Sequence, residues 1–162
     1  MTHGNDESMT RRSLLGGIAS AAVALLLRPA PAAAQDKTPI VIYKDPNCGC
    51  CHQWVDYLKA NGFTPSVTDT GNMGAIRTRY KIPSSLTSCH TGVIGGYVIE
   101  GHIPAADIRK LLAQKPKGVV GLTIPGMPAS APGMDQTPFQ PYTVLAFDAA
   151  GKTTVFARHD KA

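Results

Sequence analysis

Hydrophobic spacing along the chain switches between two periods. Ile40–Tyr43 is a short, mostly β-branched run and predicts a buried strand. From Cys51 the spacing turns helical: Val55 and Leu58 lie three apart, Trp54 and Leu58 four apart, and Gly62 is placed to close the helix. "FTPSVTD" reads as a weak strand. Met73, Ile76 and Tyr80 recur at helical spacing until Pro83 stops them. "TGVIGGYVIEG" holds two apolar runs around Gly95-Gly96 and predicts a hairpin. Pro104 then opens a helix with Ile108, Leu111 and Leu112 on one face, and Pro116 ends it. The predicted order is β-α-β-α-β-β-α. From Leu122 to Tyr142 the text is rich in proline and glycine and has no period, as in loops with a function of their own. "YTVLAFDAAGKTTVFA" predicts a closing C-terminal β-hairpin that turns at Asp148–Gly151.

The N-terminal segment follows another logic. Leu14–Leu27 is apolar or small and uncharged, but shorter than the roughly 20 residues that span a bilayer. Arg11 and Arg12 precede it, and Ala32 and Ala34 offer a small-residue cleavage site. This predicts an export signal over residues 1–34 and a mature start at Gln35. Arg11-Arg12-Ser13-Leu14-Leu15 has the form of a twin-arginine signal; an ordinary export signal or an uncleaved anchor is the alternative. Residues 35–162 are then one domain, expected in the periplasm. Thirteen basic and nine acidic side chains follow residue 34, a net charge of +4. The basic residues are scattered, without the stripe that nucleic acid requires. No membrane association is expected of the mature form.

The chemistry lies in the cysteines. Cys48, Cys50 and Cys51 stand within four residues, and Cys89 is followed by His90. Three readings compete. Disulfides suit an oxidising compartment: Cys48–Cys51 could close, and Cys50–Cys89 could form a second bridge. Yet sulfurs crowded into one turn constrain little of the chain, and adjacent cysteines pair poorly. Metal is the second reading, because thiolates select copper(I), zinc or iron–sulfur clusters. Four thiolates around one zinc leave a net −2, costly away from water. Around several copper(I) ions they approach neutrality. The spacing is not a usual iron–sulfur one. The third reading is redox catalysis: thiol–disulfide exchange, with Cys48 as nucleophile and Cys51 as resolving thiol, or a copper redox activity built on the same sulfurs.

The predicted order, with cysteines between the first strand and first helix, resembles the thioredoxin fold. That resemblance implies that Cys48 sits at a helix N-terminus and that the loop carrying Cys89 and His90 lies against it. "DPNCGCC", "SCHTGVIGGYVIEGHIPAADI" and "GLTIPGMPASAPGM" together resemble the bacterial CopG family of periplasmic copper-resistance proteins. The likeness runs from about Ile40 to Met134. It implies a thioredoxin-like domain and a multinuclear, thiolate-bridged copper(I) cluster. The ligands would be Cys48, Cys50, Cys51 and Cys89, with His90 as a further ligand or a supporting group. Copper ions, and other periplasmic copper-handling proteins, would be the partners. The resemblance leaves enzymatic turnover open.

Other side chains are weighed beside these. His52 could adjust thiolate acidity or simply be an exposed helix residue. His102 is expected to cap or support rather than ligate. His159 is expected in solvent. Met127 and Met134 could offer thioether sulfur to copper or pack the loop over the site. Met73, Tyr43, Trp54 and Tyr97 read as core.

Overall fold

The computed structural model describes residues 38–161. The export signal read from residues 1–34 lies outside them. The chain forms β1 (Thr38–Lys44), α1 (Gly49–Ala60), β2 (Phe63–Asp69), α2 (Met73–Arg79), β3 (His90–Ile94), β4 (Tyr97–Glu100), α3 (Ala105–Gln114), β5 (Val119–Thr123), β6 (Tyr142–Asp148) and β7 (Thr153–His159). A short 3-10 turn at Ser84–Leu86 precedes β3. The fold is mixed α/β, and the elements up to Gln114 follow the predicted order. Among the described residues no helix is long and apolar enough to cross a membrane.

One seven-stranded sheet runs in the order β2-β1-β3-β4-β5-β6-β7. β1 pairs in parallel with β2 and antiparallel with β3. The β3–β4 hairpin turns at Gly95 and Gly96, both at positive φ. β6 and β7 form the closing hairpin, with the Gly151 amide donating to the Asp148 carbonyl at its turn.

β5 corrects the expectation from sequence, in which Val119–Thr123 carries no element and the loop begins at Leu122. It pairs in parallel with β4 and antiparallel with β6. The C-terminal hairpin therefore extends the central sheet. The strand is short, broken by Gly121 and followed at once by proline-rich text, so its period is masked. Gly121 has a packing reason: a Cβ there would lie 2.1 Å from the Val98 carbonyl oxygen. Only glycine lets β5 approach β4 this closely.

Strand alternation splits the core between the two sheet faces. Ile99 and Ala146 join a large cluster with Ile40, Ile42, Trp54, Leu58, Ile108 and Leu111. Their neighbours Val98 and Phe147 point the other way and pack with Ile82 and Leu86. α1 and α3 thus cover one face, and the chain after α2 lies on the other. Trp54 and Leu58 have no exposed surface, and full burial of such side chains contributes about 1.5–3 kcal/mol each. Met73 and Trp54 are core as expected, Tyr97 packs against it, and Tyr43 is half-buried with its hydroxyl 3.3 Å from that of Tyr80.

Candidate metal centre

The first contributor is the turn into α1. The Cys48 amide donates to the Asp45 carbonyl, and the Asn47 amide donates to Asp45 Oδ1. That turn makes Cys48 the N-cap of α1, three residues before Cys51, where the periodicity begins. No side chain caps the helix, and its first turn holds no acidic residue. The free amides and the helix dipole therefore favour negative charge at the sulfurs. Cys51, one turn on, is fully buried, while Cys48 and Cys50 are half-buried.

The second contributor is the chain entering β3. Glu100, fully buried on β4, accepts from the Ser88 amide at 2.7 Å and from the Thr91 hydroxyl at 2.7 Å. Arg77 of α2 donates to the Ser88 carbonyl and pairs with Glu100. Burial raises the Glu100 carboxyl above its ordinary range, against the lowering effect of these donors. Cys89 is held between two anchored neighbours.

These two segments meet. The sulfurs of Cys48, Cys50, Cys51 and Cys89 all lie within 4.8 Å of one another. Cys48 and Cys51 are joined as a disulfide, with Cα atoms 5.4 Å apart. Cys50 and Cys89 are free thiols, so the second bridge considered from the sequence is absent. Cys50 Sγ lies 3.6 Å from Cys48 Sγ. Burial, and then the nearby Cys50 sulfur, pushes the Cys89 thiol up to about 12. Crowded sulfurs resist ionising together unless a cation joins them.

His90 completes the floor. It is fully buried, with its ring stacked on Trp54 at 4.2 Å and 5.0 Å from that of His102. The Trp54 indole is itself tied to the Ile103 carbonyl. His90 Nε2 lies 3.0 Å from the Gly101 carbonyl, which can only accept. Nε2 therefore carries the proton. Burial first, and His102 second, lower its pKa to about 3, so the ring is neutral at pH 7. The lone pair on Nδ1 then faces Cys89 Sγ at 3.3 Å and Cys51 Sγ at 3.4 Å. This is the tautomer a metal ligand needs.

The remaining residues meet some expectations and depart from others. His102 caps nothing: the N-cap of α3 is Pro104. Instead His102 is 2 % exposed and bonds the Pro132 carbonyl at 2.8 Å through Nδ1. His52 is exposed and bonded to Lys44 Nζ. His159 is not free in solvent: it bonds Asp107 at 2.8 Å and stacks on Tyr142. Met134 packs against the hydrophobic core, and Met127 is half-buried in the loop. Sequence spacing holds no sign that His102 joins His90; it follows from the pairing of β3 with β4, which places Gly101 and His102 beside the start of β3.

A family described as a protein of unknown function, DUF411, matches residues 86–134, the stretch holding Cys89, His90 and His102. Two solved structures are also similar. One, titled copper resistance protein CopG form 1, shares 39% identity, covers 78% of this chain and 100% of its own, and superposes with a TM-score of 0.71. The other, form 2 of the same protein, shares 41% identity over 76% of this chain and 99% of its own, with a TM-score of 0.71. No curated protein matches the chain. At this identity and coverage, the chain belongs to the CopG-type copper-resistance family.

Proposed function

We propose that this is an exported, periplasmic copper-handling protein that captures copper(I) in a multinuclear, thiolate-bridged cluster. Cys48, Cys50, Cys51 and Cys89 are the thiolate ligands, and His90 Nδ1 is a further ligand. The observation that carries this reading is the convergence of four sulfurs from two remote segments within 4.8 Å. The copper-resistance relatives support the choice of ion. Soft sulfur donors favour copper(I) over harder cations. The domain is read as thioredoxin-like, an assignment supported by the cysteines at the α1 N-terminus and by β1 lying between β2 and β3. Export is supported by the leader sequence. Other periplasmic copper-handling proteins are its proposed partners.

The Cys48–Cys51 disulfide adds a condition. Both sulfurs become ligands only after two electrons reduce the bond to two thiolates, and a dithiol reductant can supply them. The same bond favours a second reading, thiol–disulfide exchange with Cys48 as nucleophile and Cys51 as resolving thiol.

One experiment separates the two. The reduced chain is loaded anaerobically with copper(I), and copper per protein is measured for the unsubstituted chain, Cys50→Ser and Cys89→Ser. The cluster reading expects more than one copper per chain and loss in both variants. A ratio of one or less in the unsubstituted chain sinks it. The exchange reading expects disulfide turnover to survive both substitutions and to vanish in Cys48→Ser.

A further inference from the structure

Glu100, the last residue of β4, has no exposed surface. Burial strips its carboxyl of water, and a buried ion pair is seldom more stable than apolar side chains in its place. Stability alone therefore gives little reason for an acid at this position. Its partners give a better one. Oε1 accepts from the Ser88 amide at 2.7 Å, and Oε2 accepts from the Thr91 hydroxyl at 2.7 Å. Those two residues bracket Cys89 and His90. The Arg77 Nε lies 3.7 Å from Oε1, and the same guanidinium donates to the Ser88 carbonyl.

The bracketed segment needs such an anchor. β3 begins only at His90, so Thr87, Ser88 and Cys89 precede the sheet ladder. The residue after Glu100 closes on the same segment. Gly101 has a φ of +84°, and a Cβ there would lie 2.8 Å from Ser88 Oγ. Its amide donates to the His90 carbonyl at 3.2 Å. The end of β4 thus holds the backbone on both sides of the Cys89 sulfur. A ligand on irregular chain keeps its geometry only when its neighbours are locked.

We propose that Glu100 is a positioning residue for copper(I) capture, an assignment that rests on the function proposed above. Its two oxygens hold the Cys89-His90 pair in place through Ser88 and Thr91, and Arg77 balances its charge. Glu100 itself does not touch the ion.

The test reads copper(I) retention, by competition with a chelator, beside the thermal midpoint of the reduced full chain under anaerobic conditions. Glu100→Ala removes both acceptors and should weaken retention about 10–100-fold. Glu100→Gln keeps an oxygen for the Ser88 amide and offers an N–H to the Thr91 hydroxyl, so retention should return to within about threefold of the unsubstituted chain. Leu111→Ala, which empties part of the core under α3, should lower the midpoint and leave retention unchanged. Retention in folded Glu100→Ala within about threefold of the unsubstituted chain overturns the role. So does a loss in Glu100→Gln as large as in Glu100→Ala, which would make charge the cause. A loss of that size in Leu111→Ala also overturns it, since general destabilisation would then suffice. Should Glu100→Ala not fold, Thr91→Val removes one of the two bonds and should cost about 3–10-fold; no loss there overturns the role. An unsubstituted chain that takes up no copper overturns the proposed function itself, and this role with it.

Discussion

The helix side and the strand side of the site are built on opposite plans. On the helix side, Cys48, Cys50 and Cys51 are neighbours in sequence, and two of the three are half-buried. Cys48 and Cys51 are joined as a disulfide, a bond that a dithiol can reduce. On the strand side, His90 and His102 are almost fully buried. Trp54, Gly101 and Pro132 hold their rings, and Glu100 and Arg77 hold the chain on either side of Cys89. One side supplies reactivity at little cost in order. The other supplies fixed donors, and their order depends on contacts across the fold.

The largest expected effect comes from breaking both sides at the atom they share. The Cys89 sulfur lies within 4.8 Å of the three helix-side sulfurs and of a ring nitrogen from each of His90 and His102. Cys89→Ser keeps the size and polarity of the side chain but removes the soft donor. Supporting partners of metal ligands are already worth 10–100-fold in affinity, so loss of this proposed ligand should weaken copper(I) retention by more than about 100-fold. Competition with a copper(I) chelator measures it. Retention within threefold of the unsubstituted chain would mean that the sides act separately.

Acid should separate the sides. His90 is held neutral, with its pKa lowered from 6.5 to about 3 chiefly by burial, and His102 shifts in the same direction. A depressed histidine pKa means that the unfolded chain takes up the proton first. Stability is then complete above about pH 6.5 and is lost as pH falls from there toward 3. Each pH unit in that window costs up to about 1.4 kcal/mol from His90 alone. Denaturant midpoints of the reduced, metal-free chain at pH 7 and pH 4.5 should differ by up to about 3 kcal/mol in stability. His90→Phe should flatten that slope. If the slope is unchanged in His90→Phe, the buried imidazole is not its source.

Gly133 sharpens the comparison, because the loop touches both sides there. A Cβ at Gly133 would lie 2.7 Å from the Trp54 amide nitrogen on α1, and its φ is +80°. The obstacle is backbone, so the loop must move, and Pro132, which bonds His102, moves with it. Gly133→Ala should cost about 1–3 kcal/mol through overpacking and strain. Thermal unfolding measures the loss. A cost below about 0.5 kcal/mol would show that the loop adapts without disturbing the helix.

The two sides also differed in how far the sequence revealed them. Most elements were legible because their apolar spacing is local: Val55 and Leu58 on α1, Ile108 and Leu111 on α3, and the Gly95-Gly96 hairpin. The cysteine cluster could be seen as three sulfurs in four residues. On the strand side, Cys89 and His90 were read through the resemblance, while the place of His102 was hidden for a physical reason. His102 becomes part of it only through the β3–β4 register and a carbonyl 30 residues away at Pro132. No periodicity encodes such a contact. β5 was missed because Gly121 and Pro125 hide a five-residue strand whose role depends on its neighbours. His159 read as solvated because its partner, Asp107, is 52 residues distant.

The smallest effect should come from His52, although it stands next to Cys51 in sequence. Its Nε2 lies 2.9 Å from Lys44 Nζ, at the outer wall of α1. Lys44 is 3 % exposed but has other partners: Asp69 at 2.7 Å and the Asp45 carbonyl at 3.3 Å. Removing the imidazole therefore leaves no buried charge unpaired. An exposed side chain in such a contact contributes about 0–1 kcal/mol. His52→Ala should shift stability by less than about 1 kcal/mol and leave copper per chain unchanged. The strand-side histidines should not behave this way, since each spends one nitrogen on a carbonyl and turns the other inward. If His52→Ala lowered copper retention as much as His90→Ala, adjacency to the cysteines would matter more than burial and tautomer. The distinction between a reactive side and an orienting side would then fail.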